Sequence, residues 1–92
     1  MKRKLIYSSH VVIQMFKRGI SQQDIELALA AGVIIREYPD DKPYTNYLLL
    51  FFSANIPLHL VYALNEVGEY IIITAYQPDN SIWKDDFTVK KR

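Results

Sequence analysis

YLLLFFSANIPLHLVYALNEVGEYIIITAY, residues 47–76, is the stretch on which the fold turns. Tyr47 to Phe52 is a run of large apolar residues and reads as a central strand buried on both faces. Ser53 to Pro57 turns the chain. In Leu58 to Leu64, strict alternation sets Leu58, Leu60, Tyr62 and Leu64 against His59, Val61 and Ala63, the pattern of another strand. Asn65 to Glu69 contains Gly68 and forms a hairpin loop, and Tyr70 to Tyr76 is the strand that follows it. Strands joined by such short turns pair with one another as antiparallel neighbours.

Outward from this block the pattern extends in both directions. Val33 to Tyr38 is β-branched and aromatic, and PDDKP at 39–43, with two prolines and two acids, is the loop after it. Further upstream the period becomes helical. Ser8 or Ser9 offers a hydroxyl N-cap, Val11 to Lys17 continue as a helix, and Gly19 ends it. At 100° per residue Val11, Val12, Met15 and Phe16 share one broad apolar face, with His10, Gln14, Lys17 and Arg18 on the other side. Ser21 with Asp24 resembles a capping box that opens a second helix, with Ile25, Ala28 and Leu29 as its buried stripe and Gly32 as its stop. Lys4 to Tyr7 has the makings of a first strand. Downstream of Pro78, Asp79 or Asn80 can cap a short helical turn around Trp83. The order (β)ααββββ predicts an α+β fold: an N-terminal helical hairpin joined at Gly19-Ile20, packed on a four- to five-stranded, mainly antiparallel sheet, with a short C-terminal helical turn.

The chain has 92 residues, half of them hydrophobic and 13% aromatic. That is the material of one domain spanning 1–92 and excludes a disordered chain, which lacks the apolar area to offset ordering entropy. Cysteine is absent, which excludes a disulfide scaffold, a thiolate nucleophile and a Cys-ligated zinc. The two histidines stand far apart with no ligand spacing around them, so no metal and no cofactor is expected. The longest apolar stretch near the middle, Tyr47 to Ala54, falls far short of the roughly 20 residues of a spanning helix. The basic opening is followed by no small-residue cleavage site, so the expected place is the cytoplasm and not a membrane.

The net charge of +1 is unevenly spread. Residues 1–20 carry five cations and no acid, and residues 21–79 carry Arg36 and Lys42 against eight carboxylates. Residues 80–92 return to positive with Lys84, Lys90, Lys91 and Arg92 against two acids. If the fold joins the ends, a positive face forms that attracts phosphates.

Within this frame His10, Gln14, Lys17 and Arg18 recur at offsets that gather them on one side of the first helix. Imidazole is the usual proton-transfer group near neutral pH, and lysine and arginine stabilise phosphate oxygens. The plainer reading of the same stripe is the solvated side of an amphipathic helix. His59 is a second candidate, against the alternative of a hydrogen-bonded sheet residue. Tyr76, at a strand end beside Gln77-Pro78-Asp79, can reach a cleft with its hydroxyl. Pairing Leu64 with Glu69 puts His59 and Tyr76 on one sheet face, and pairing Leu64 with Tyr70 puts them on opposite faces. Trp83 and Phe87 read as an aromatic plug on the sheet, with base stacking by Trp83 as the functional alternative.

Several segments together resemble one family: SSHVVIQMFKRGIS (8–21), EYPDDKPY (37–44), PLHLVYA (57–63), ITAYQPD (73–79) and the W-x-x-x-F of Trp83 and Phe87. That family is the domain of unknown function 4258. The resemblance implies a small α+β protein with a RelE-like fold, similar to the RelE/ParE, BrnT and MqsR toxins. It implies a toxin of a type II toxin–antitoxin system acting as a metal-independent endoribonuclease, with RNA (ribosome-bound mRNA included) and a cognate antitoxin as partners. The alternative within the same fold is a non-catalytic module that binds a protein, a gyrase-type target or the antitoxin. The matching positions include His10, Gln14, Arg18, Gly19, His59, Tyr76, Pro78 and Trp83. On the ribonuclease expectation His10 or His59 serves as base and acid, Arg18 with Lys17 clamps phosphate, and Tyr76 is an orienting or acidic hydroxyl. Gln14, Lys17, Trp83 and Lys84 complete the expected RNA contacts.

Overall fold

The structure is a computed structural model, and it describes residues 3–79 and 87–88. The chain order is β1 (Leu5–Tyr7), α1 (Ser9–Arg18), α2 (Gln22–Ala31), β2 (Val33–Tyr38), β3 (Asn46–Ser53), β4 (Ile56–Leu64) and β5 (Tyr70–Tyr76). The five strands form one sheet in the order β1-β5-β4-β3-β2. The β2–β3, β3–β4 and β4–β5 pairs are antiparallel, whereas β1 joins β5 in parallel after the helical excursion. The fold is therefore α+β with a mixed sheet. The C-terminal turn expected around Trp83 lies outside the described residues.

The local chemistry explains where the elements start and stop. Ser8 caps α1 by accepting the Val11 N–H, and Gly19 closes it in the left-handed conformation at φ 69°. Ser21 and Asp24 form a complete capping box at the start of α2. Gly32 ends α2 with extended backbone at φ −77°, and its need for glycine is steric: a Cβ there would lie 2.1 Å from the Leu49 side chain. The β3–β4 hairpin turns on Ala54 and Asn55, both at positive φ, the geometry whose twist matches paired strands.

α1 packs on β5, and α2 packs on β3 and β4. Of the helical hairpin expected at Gly19-Ile20, the structure gives two successive helices joined there, each with its main contact on the sheet. Val11 and Met15 from α1 and Ile20, Ile25 and Ala28 beyond it meet Leu49, Leu58, Leu60, Tyr62, Ile72 and Ala75 in one buried cluster. Val12 and Phe16, placed by helical period on the apolar face of α1, are instead exposed, Phe16 by 87%. The strip of α1 that meets β5 is narrow enough to take only Val11 and Met15.

Alternation along β3 and β4 sends Leu48, Leu50, His59 and Ala63 to the other side of the sheet, where all four are buried outside that cluster. The sheet is thus covered on both faces at its centre.

Candidate functional site

The two halves of the candidate site sit on consecutive residues of β5. On one side is α1. The Arg18 guanidinium reaches β5 with its Nη1 group, donating to the Ala75 carbonyl at 2.8 Å and to Thr74 Oγ1 at 3.3 Å. Thr74 Oγ1 lies 3.4 Å from Gln14 Oε1, and Gln14 Nε2 lies 2.9 Å from His10 Nε2. Three of the four polar residues of the α1 stripe are therefore linked through one strand hydroxyl. His10, Lys17 and Arg18 are all exposed. A guanidinium has five N–H donors, and the two on Nη1 are taken, so three remain without a partner among the described residues. Lys17 lies beside them without a partner there as well.

On the other side is the pair His59 and Tyr76, which are directly opposed in the β4–β5 ladder. The route to that pairing is indirect. Leu64 pairs with Tyr70, the register that by itself separates His59 from Tyr76, and the ladder then slips by one at Ile73, between the Tyr62–Ile72 and Val61–Thr74 pairs. This bulge returns the two side chains to one face. Their rings meet edge to face at 5.3 Å, and His59 Nδ1 lies 3.3 Å from the Tyr76 hydroxyl. His59 Nε2 is 2.8 Å from the Phe87 carbonyl, which can only accept, so Nε2 carries a proton. Phe87 also sets its ring edge-on against Phe52 at 6.4 Å, and its backbone is left-handed at φ 60°.

His59 has no solvent exposure. Burial holds its pKa below the ordinary histidine value, and the hydrogen bond to Phe87 offsets only part of that. The Tyr76 phenol is raised, first by burial and then by the Tyr38 side chain. Both groups are held neutral near pH 7. Geometry thus divides the expected residues: His10, Gln14 and Arg18 come together on the exposed side of α1, and His59 with Tyr76 forms a closed pair against Phe87. Trp83 and Lys84 lie outside the described residues.

Thr74, the Ala75 carbonyl and the Phe87 carbonyl are the polar partners that sequence reasoning missed. Thr74 carried a usable signal as the one aliphatic hydroxyl in the apolar strand YIIITAY, two residues before Tyr76. The backbone carbonyls carry none.

A cavity of about 140 Å³ opens where Gly19, Ile20 and Asp24 meet Ser53, Pro57 and Gln77. A wider one of about 450 Å³ lies against Asn55, Pro57, Gln77, Pro78, Asp79 and Phe87. Neither is lined by His10, Arg18, His59 or Tyr76. Among the described residues no three His, Asp or Glu side chains gather as a metal-ligand set, and no helix is long and apolar enough to cross a membrane.

Residues 7–77 match the family described as Domain of unknown function (DUF4258). No curated protein matches the chain, and no solved structure does.

Proposed function

We propose that this chain, which belongs to the family described as Domain of unknown function (DUF4258), is a toxin-type endoribonuclease that cleaves RNA without a metal. The observation that carries the reading is the α1 row. An exposed imidazole and a guanidinium with three donors unpartnered among the described residues stand on one helix side, tied to β5 through Thr74. His10 and Arg18 are eight residues apart, about 12 Å along the helix axis, and their side chains are linked across that distance through Gln14 and Thr74.

Metal-free cleavage needs little more than such groups supply. The 2′-oxygen loses its proton to solvent and bonds to phosphorus, the P–O5′ bond breaks, and the departing 5′-oxygen takes up a proton. The ends left are a 2′,3′-cyclic phosphate and a 5′-hydroxyl. His10 is the proton-transfer group in this scheme, and Arg18 with Lys17 bears the charge that grows on the phosphate oxygens. His59 and Tyr76, closed against Phe87, hold the end of the sheet on which the row is built. A cognate antitoxin remains the proposed protein partner, and ribosome-bound mRNA a proposed form of the substrate.

A second reading is a toxin-fold module that binds a protein and cleaves nothing. It is favoured by one specific observation, the exposed Val12, Ile13 and Phe16 of α1. Incubation of the purified chain with RNA in EDTA separates the two. The ribonuclease reading predicts cleavage with cyclic phosphate ends, reduced by about 100-fold in His10→Ala and weakened in Arg18→Ala. Intact RNA with the wild-type chain contradicts it and leaves the binding module.

A further inference from the structure

We infer that Thr74 is a positioning residue that, through the Gln14 amide, fixes which nitrogen of His10 carries its proton, so that Nδ1–H is the group turned to the substrate. The inference rests on the ribonuclease reading for its chemical meaning, but the hydrogen-bond count stands by itself.

The count starts at Arg18, whose Nη1 can only donate. It lies 3.3 Å from Thr74 Oγ1, so the threonine oxygen accepts. A hydroxyl has one proton, and the acceptor within reach is Gln14 Oε1 at 3.4 Å. That fixes the amide: with its oxygen toward Thr74, its NH2 end faces His10 Nε2 at 2.9 Å. An amide NH2 only donates, so His10 Nε2 offers its lone pair. A neutral imidazole carries one ring proton, and here it sits on Nδ1. Turning the amide over lets the threonine oxygen accept twice, from Arg18 and from the amide, but strands the threonine proton without an acceptor among the described residues. With the amide oxygen toward Thr74, the chain Arg18→Thr74→Gln14→His10 runs in one direction.

The consequence for chemistry is specific. Nδ1 keeps a proton whether the ring is neutral or cationic, because the cation protonates both nitrogens. No partner among the described residues takes that proton. His10 thus meets an anion as a hydrogen-bond donor, on the side of the reaction that stabilises phosphate charge, and its lone pair is held inward by Gln14. Thr74 touches neither substrate nor imidazole and acts only through the amide.

Long-range ¹H–¹⁵N correlation NMR of the whole chain, above the imidazole titration range, reads the tautomer directly. The wild type is expected to give the Nδ1–H pattern for His10. Thr74→Val, which keeps the β-branched shape, is expected to move His10 toward the Nε2–H form that free histidine favours in water, and Thr74→Ser to restore the wild-type pattern. Gln14→Leu, on the helix rather than the strand, should cause the same shift if Thr74→Val fails to fold. An Nε2–H pattern in the wild type, or an unchanged pattern in a folded Thr74→Val, overturns the inference. RNA cleavage of the same variants reads the second half: a roughly tenfold loss in Thr74→Val, recovered in Thr74→Ser, ties the tautomer to catalysis. If the tautomer switches as expected while the wild type cleaves no RNA, the positioning stands and the ribonuclease reading falls.

Discussion

The two histidines of this chain occupy opposite extremes. His59 has no solvent exposure, and both ring nitrogens are within hydrogen-bond distance of fixed partners, the Tyr76 hydroxyl and the Phe87 carbonyl. His10 is exposed on α1, with one nitrogen against Gln14 and no partner among the described residues for the other. The same side chain thus closes a structure in one place and offers a proton in the other. What separates them is neither charge nor helix-versus-strand location but the count of occupied ring nitrogens. A histidine with both nitrogens engaged and no water around it contributes to stability, and one with a nitrogen left over is available for chemistry.

This contrast can be broken most severely at His59. Replacing it with Leu removes the ring nitrogens that meet the Phe87 carbonyl and the Tyr76 hydroxyl, and the expected loss is about 3 kcal/mol in urea unfolding. His10→Leu, at an exposed position, should stay within about 0.5 kcal/mol. Equal losses at the two positions would erase the distinction.

A gentler test is pH. The His59 pKa is lower in the folded chain than in the unfolded one, so the unfolded state binds the proton more readily. The stability that His59 contributes is therefore complete above about pH 6.5, the unfolded histidine value, and declines as the pH falls below it. Denaturant midpoints measured across that window should fall with acid in the wild type and in His10→Ala. They should fall less in His59→Gln, whose amide can still donate to the Phe87 carbonyl and does not titrate. A smaller loss than at His59 is expected at Arg18. Arg18→Met keeps much of the apolar stem and loses two donated hydrogen bonds to β5, for about 1 kcal/mol in the same unfolding experiment. On the ribonuclease reading, that loss appears together with weaker RNA binding.

Much of this arrangement is written locally in the chain. Ser8, Gly19 and the Ser21–Asp24 box cap helices as their side-chain chemistry requires, and the alternation in LHLVYAL orients His59 away from the helix-side cluster. The α1 stripe of His10, Gln14 and Arg18 is fixed by helical period alone. What the sequence withholds is set between elements. Phe16 and Val12 have the period of core residues, yet the sheet meets α1 along a strip that reaches only Val11 and Met15. The pairing of His59 with Tyr76 depends on a one-residue slip at Ile73, inside a run of three isoleucines that marks no position as special. The same slip sets Ala75 opposite Leu60 in the helix-side cluster.

In the proposed function, the exposed side of α1 receives the RNA phosphates. Backbone amide NMR of the chain, titrated with a short RNA made uncleavable by a 2′-deoxy sugar at the scissile position, tests this most directly. Shifts concentrated at residues 10–18 and at Thr74 and Ala75, and lost in Arg18→Met, are the predicted result. Shifts confined to the Phe52–Phe87 face, or none at all at concentrations that saturate a basic patch, would contradict it.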